Sequence, residues 1–203
     1  MDLPAAEPIT VPVLTAPDVR LRPFRPDDAS WVYYVCLDPE LRRGLSLPDP
    51  YLYAHARYFI DQIALADAPA GRGADFVIEE PETQIALGWV GLHRRPDGEF
   101  ACGYWLAADA RGRGIMTQAV DTACRWALSP DGLGAEIIRW NAHTDNPASR
   151  AVAEHVGFVI DTETVPGANG PKWAGHLRPG NLRTAPRPRA ANRATCDSEL
   201  NSP

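Results

Sequence analysis

The chain has a single lysine, Lys172, two methionines and four widely separated cysteines in 203 residues. Cys36, Cys102, Cys124 and Cys196 show neither the close spacing of metal ligands nor the density of a disulfide framework. No metal is expected, and a reducing, cytoplasmic setting is the simplest. No apolar run approaches the ~18 residues that cross a bilayer. The first ten residues hold acids and prolines where a leader would place bases and then an apolar core. No membrane is therefore expected as a partner. A net charge of −6 leaves no broad basic surface, which argues against nucleic acid. There is no internal repeat. What is present, 45% hydrophobic and 23% charged residues, suffices for one well-buried domain with a tail.

In chain order, residues 1–18 read as an arm with a short edge strand near Val11 to Leu14, residues 19–183 as the domain, and residues 184–203 as a disordered tail. Val19 to Phe24 alternates as a strand. Pro26-Asp27-Asp28 starts a helix that turns Trp31, Tyr34 and Val35 inward. A short helical piece, Glu40 to Leu45, precedes a proline break. A second helix, Tyr51 to Ala66, buries Leu52, Ala56, Phe59, Ile63 and Ala66. Three strands follow, Ala74 to Glu79, Gln84 to His93 and Phe100 to Leu106, joined by tight turns into an antiparallel meander. A helix from Gly112 to Leu128 has a narrow apolar face of Met116, Ala119, Val120, Ala123 and Ala127. Next come a strand from Ala135 to His143 and a helix capped by Asn146-Pro147 and stopped at Gly157. Two last strands, Phe158 to Thr162 and Lys172 to Leu177, complete the domain. The fold class is α+β, a mostly antiparallel mixed sheet of about seven strands with four main helices.

The segment that bears chemistry is Arg111-Gly112-Arg113-Gly114-Ile115-Met116-Thr117, between a strand and a helix. Glycines permit left-handed backbone and close ligand approach, a helix start presents unpaired N–H groups, and arginines suit phosphate. A nucleotide-hydrolase loop would need G-x-x-x-x-G-K-[ST], which is absent. The dinucleotide fingerprint G-x-G-x-x-G meets Thr117 in its third slot and lacks a parallel setting. The pattern R-x-x-G-x-[GA] fits Arg111 and Gly114, with Met116 in the last slot. Backbone amides from Gly112 to Thr117 would then cradle a pyrophosphate, while the methionine packs on the sheet.

A second segment, Trp140-Asn141-Ala142-His143-Thr144-Asp145-Asn146-Pro147-Ala148-Ser149, continuing to Gly157-Phe158, resembles the second signature of the GNAT N-acetyltransferase superfamily. The glycine-arginine turn resembles that superfamily's acetyl-CoA pyrophosphate loop. Val19 to Ala29 and Trp173 to Leu182 are similar to segments of its RimJ/RimL-type ribosomal-protein alanine N-acetyltransferase branch. The resemblance implies an acyl-CoA N-acyltransferase fold and acetyl-CoA as co-substrate. It also implies acetyl transfer to a primary amine, on a protein N-terminus or a small molecule, by direct attack in a ternary complex. It places the cofactor against Trp105, Leu106, Arg111, Gly112, Arg113, Gly114, Ile115, Met116, Thr117, Asn146 and Ser149.

The resemblance implies that Ser149, three residues after the asparagine, is the proton donor to the departing thiolate; Ala153 stands where many members carry tyrosine. Ala101 stands where the branch often carries a glutamate base. Glu99, two residues earlier and on the same strand face by alternation, is the substitute candidate. His93 and His143 are weaker ones. A polyamine or aminoglycoside acceptor is one alternative, and a non-catalytic acyl-CoA sensor, suggested by Ala101 and Ala153, is another. A homodimer is left open.

Overall fold

The computed structural model describes residues 7–45, 47–167 and 170–183. The tail read as disordered, residues 184–203, lies outside them. Among the described residues the strands are β1 (Leu14–Ala16), β2 (Val19–Pro23), β3 (Gly73–Glu79), β4 (Ala86–Arg94), β5 (Phe100–Leu106), β6 (Ile138–His143), β7 (Val159–Ile160) and β8 (Lys172–Leu177). The α-helices among them are α1 (Ala29–Val35), α2 (Pro39–Gly44), α3 (Tyr53–Phe59), α4 (Ile115–Leu128) and α5 (Pro147–Val156). The sheet order is β1-β2-β3-β4-β5-β6-β8-β7. The short edge strand expected near Val11 to Leu14 is β1, formed later at Leu14–Ala16 and paired antiparallel with β2.

Every pair is antiparallel except β5 and β6, the two strands joined through α4. A parallel neighbour requires such a crossover. This pair is short, joining only Phe100 to Ile138 and Ala101 to Arg139. Past Ala101 the two strands part while β5 stays paired with β4 as far as Leu106. The sheet therefore opens between β5 and β6, leaving the backbone groups of Cys102–Leu106 on that edge without a strand partner.

Alternation along the strands feeds two cores. Phe76, Ile78, Val90, Leu92, Phe100 and Cys102 pack with Met116, Ala119, Val120, Ala123 and Ala127 of α4. The small residues let the helix lie close to the sheet, as its pattern predicts. On the other face Val77 and Trp105 pack with Phe24, Ala29, Val32, Ala56 and Ile60. Each fully buried aliphatic or aromatic side chain contributes roughly 1.5–3 kcal/mol. Buried Arg22 donates to both carboxylate oxygens of Asp28, each at 2.7 Å, and to Glu79 at 2.5 Å. This ties β2, β3 and the turn into α1 together.

Two helical faces differ from expectation. Helix α1 buries Ala29 and Val32, with Cys36 just beyond it, while Tyr34 is 70% exposed. The 3-10 turn Pro26–Asp28, anchored through Asp28 to Arg22, sets the helix phase away from the aromatic pattern. Helix α3 is shorter than expected and passes into a π turn, Ile60–Ala64, where the Leu65 amide reaches back to Ile60 at 3.0 Å. Ala56, Ile60 and Ala64 are buried, while Leu52 and Tyr58 face solvent.

Both ends of α5 follow their sequence signals. Asn146 accepts a hydrogen bond from the Ser149 amide at 3.0 Å, and Gly157 closes the helix at φ 114°. A methyl group on Gly157 would collide with the Asn181 carbonyl oxygen. Gly157→Ala is expected to lower unfolding stability by about 2 kcal/mol, from left-handed strain plus that collision. Urea denaturation checks this; an unchanged midpoint would refute it.

Candidate active site

From Leu106 the chain makes a 3-10 turn, Ala108–Ala110, then passes through Gly112 at φ 72° and Gly114 at φ 79° into α4. No side chain caps the start of α4. Among the described residues, no backbone N–H from Gly112 to Thr117 donates to a protein group. Consecutive free amides around left-handed glycines form a concave anion site, reinforced by the positive end of the helix.

These amides border a groove of about 470 Å³ that runs to the opening between β5 and β6. Of the residues expected against the cofactor, Trp105, Leu106, Arg111, Gly112, Gly114, Ile115, Met116, Thr117, Asn146 and Ser149 all line it. Met116 is buried against the sheet core and also reaches the groove wall.

The arginines are placed differently from what their charge suggests. Arg111 bonds Asp38 at 2.6 Å and Glu40 at 2.8 Å, and its guanidinium also donates to the Leu106 carbonyl. It thereby pins α2 over the groove, where Glu40, Leu41, Gly44 and Leu45 form a wall that sequence reasoning missed. The carboxyl of Asp38 is held below its usual range by the Glu40 amide and then by Arg111. Arg113 lies outside the groove lining and pairs with Glu80 at 3.0 Å. The unsatisfied donors facing the groove are thus main-chain amides.

At the other end, the Ser149 hydroxyl donates to the Tyr104 oxygen at 3.0 Å, and the Tyr104 hydroxyl donates to the Ser149 carbonyl at 3.0 Å. The pair bridges β5 and α5 where the sheet opens. Burial pushes the Tyr104 hydroxyl pKa well up, against the opposing effect of the hydrogen bond with Ser149, so it remains protonated. Sequence reasoning missed Tyr104 as a site residue.

Glu99 is not brought to the groove. It precedes β5 at the opposite end from the opening, roughly 17 Å of extended strand before Tyr104. It borders a separate hollow of about 320 Å³ and pairs with Arg139 at 2.5 and 3.1 Å. The Arg139 hydrogen bond holds its carboxyl below the usual glutamate range. The parallel register carries this correction, because Ala101 faces Arg139 on β6 and brings that guanidinium beside Glu99. His143 lies on the β6 side of the opening but outside the groove lining.

On the face opposite α4, the side chains of Trp31, Trp105 and Trp89 follow one another, with ring centroids 5.3 and 6.3 Å apart. Beyond Trp89 comes a cluster around His93, one of the weaker base candidates, which lies outside the groove lining. Trp89 Nε1 donates to Asp75 Oδ1 at 2.6 Å, His93 Nε2 lies 3.2 Å from the same oxygen, and His93 Nδ1 lies 3.3 Å from Asp67 Oδ2.

The family model described as Acetyltransferase (GNAT) domain matches residues 18–159. The fold thus belongs to an acetyl-CoA-dependent acetyltransferase. The chain is a member of the GNAT family. No curated protein matches it in sequence. Similar solved structures include a GNAT-family acetyltransferase from Bacillus anthracis, at 14% identity over 82% of this chain and 98% of that one, with a TM-score of 0.68. RimJ of Mycobacterium smegmatis, in complex with a CoA disulfide, is 24% identical over 86% and 90%, with a TM-score of 0.70. RimL, a ribosomal L7/L12 alpha-N-protein acetyltransferase in complex with coenzyme A, is 18% identical over 82% and 98%, with a TM-score of 0.69. Among the described residues no helix is long and apolar enough to cross a membrane.

Proposed function

We propose that residues 19–183 transfer acetyl from acetyl-CoA directly to a primary amine in a ternary complex. The observation that carries this reading is a single groove with free main-chain amides at one end and the Tyr104–Ser149 hydroxyls at the other. The Gly112–Thr117 amides hold the pyrophosphate. The open backbone edge of Cys102–Leu106 offers hydrogen bonds to the amide groups of the pantetheine arm, and an N–H there polarises the thioester carbonyl.

Attack by the neutral amine forms the new N–C bond and an oxyanion; collapse of the oxyanion breaks the C–S bond and releases thiolate. Ser149 turns its O–H from Tyr104 toward the sulfur. A thiol has a pKa near ~8.5, so the serine stabilises the thiolate by hydrogen bonding, and the proton gained comes from the attacking amine. Tyr104 keeps Ser149 in place.

An α-amine, with a pKa near ~8, is far more often neutral at pH 7 than a lysine side chain near ~10.4. This favours a protein N-terminus, the substrate type named for RimL. The opposing small-molecule reading predicts preference for polyamines or aminoglycosides. A panel of peptide N-termini, polyamines and aminoglycosides, assayed for CoA release, separates the two; we expect peptides beginning with small residues to lead. Tight acetyl-CoA binding with no acceptor in the panel would favour the sensor reading suggested by Ala101 and Ala153.

A further inference from the structure

The fold brings together three ligand-type side chains that the transfer chemistry does not use. Asp75 lies on β3, His93 on β4, and Asp67 in the loop between the π turn and β3. One ligand atom from each lies within 4.8 Å of those of the other two. Gly73 pairs with His93 and Asp75 with Gly91, so these four positions share one face of the sheet.

The imidazole lies over the two glycines. A Cβ built on Gly73 would stand 3.0 Å from His93 Nδ1, and one on Gly91 would stand 2.6 Å from His93 Nε2 and 2.7 Å from Asp75 Oδ1. Their lack of side chains lets the ring lie back between two carboxylates. Its Nε2 is 3.2 Å from Asp75 Oδ1, and its Nδ1 is 3.3 Å from Asp67 Oδ2.

Each carboxylate is oriented through one oxygen by a group outside the trio. Asp75 Oδ1 accepts from Trp89 Nε1 at 2.6 Å. Asp67 Oδ1 accepts from Arg72 Nε at 2.9 Å and Nη2 at 2.7 Å, which leaves Oδ2 turned to the imidazole. Donors placed in this way fix the orientation of metal-binding carboxylates. Asp75 is 2% exposed, yet its Oδ2 has no partner among the described residues. A buried carboxylate is either paired or coordinates a metal, and an orphaned oxygen calls for a ligand.

We propose that His93, Asp75 and Asp67 form a site for a first-row divalent cation, with Zn²⁺ the best match. One imidazole nitrogen, Asp75 Oδ2 and Asp67 Oδ2 bind the ion, and water enters past the His93 side chain, which is 31% exposed. Zinc bonds of about 2.0–2.2 Å set neighbouring ligand atoms roughly 3.3–3.5 Å apart, so the trio closes by on the order of 1 Å around the ion. One nitrogen with two carboxylates suits zinc better than Mg²⁺ or Ca²⁺, which take oxygen shells. The cysteine spacing that counts against a thiolate site has no bearing on this donor set. The ion ties the Asp67 loop to β3 and β4. None of the three residues lines the groove, so the role is a structural clamp, independent of the transferase reading.

The test uses the full chain stripped of metal with EDTA and titrated with Zn²⁺ alone, in competition with a fluorescent zinc chelator. Wild type should bind one equivalent that is missing in His93→Ala and in Asp67→Ala. A hundredfold excess of Zn²⁺ over its Kd should raise Tm by about 5 °C in wild type and leave both variants unmoved. Trp89→Phe, which removes the donor on Asp75 Oδ1, should weaken binding about tenfold. His155→Ala, with its exposed ring on α5, should bind as wild type does. Tm in EDTA reports whether each variant folds, and Asp67→Ala, in a loop, decides the matter if His93→Ala does not. Wild type that takes up no stoichiometric Zn²⁺, or uptake undiminished in a folded His93→Ala or Asp67→Ala, would overturn the proposal. Uptake lost in His155→Ala would show an adventitious ion only, and would overturn it too.

Discussion

Gly114→Val is expected to raise the acetyl-CoA dissociation constant about a hundredfold, or ~2.7 kcal/mol, in a protein that still folds. Gly114 sits at φ 79°, and no atom of the described residues lies within 4 Å of where its Cβ would project. The added side chain therefore meets no internal obstacle and enters the space the pyrophosphate needs. A β-branched residue also resists the left-handed region by about 1–2 kcal/mol, which tilts the following amides away from a common focus. Titration calorimetry with acetyl-CoA checks the affinity, and thermal unfolding checks the fold. A folded variant that binds as tightly as wild type would show that the turn does not hold the phosphates. Arg111→Ala is a weaker lever on the same site, because that guanidinium is occupied by Asp38, Glu40 and the Leu106 carbonyl.

Ser149→Ala should lower kcat about a hundredfold while changing acetyl-CoA affinity less than about twofold. The Ser149 amide, which Asn146 caps, remains in the variant, so the start of α5 is preserved. What disappears is the hydroxyl, and with it the hydrogen bond to the developing thiolate. Glu99→Ala is the control: its part-buried pair with Arg139 lies at the far end of β5, away from the groove, and turnover should stay within about twofold of wild type. Steady-state kinetics on the best panel acceptor decides the matter. An unchanged kcat in Ser149→Ala would remove the serine from the chemistry.

Local signals were readable where a single residue type decides the backbone. The β5 boundaries, the Asn146 cap, the Gly157 stop and the small-residue face of α4 all follow from alternation, capping and periodicity within a few residues. What the sequence hid depends on distant partners. The phase of α1 is set by Asp28 meeting Arg22 on another element, and α3 changes phase through a π turn that no composition marks. The same holds for the site. Arg111 looks like a phosphate ligand until Asp38 and Glu40, some seventy positions earlier, are seen to occupy it. Glu99 has the right strand parity, but the way β5 and β6 part puts the groove at the other end. His93 reads as a lone strand histidine because Gly91, which lets it reach Asp75, carries no side chain to announce the contact.

The central claim is that main-chain amides of the Gly112–Thr117 turn receive the cofactor's phosphates. The most direct measurement is an amide NMR titration of protein labelled with ¹⁵N-glycine, with acetyl-CoA added to saturation. We expect the Gly112 and Gly114 resonances to move downfield strongly as their N–H groups gain phosphate acceptors, while Gly98 and Gly134, in turns elsewhere, stay in place. Saturable acetyl-CoA binding that leaves Gly112 and Gly114 unshifted would contradict the account.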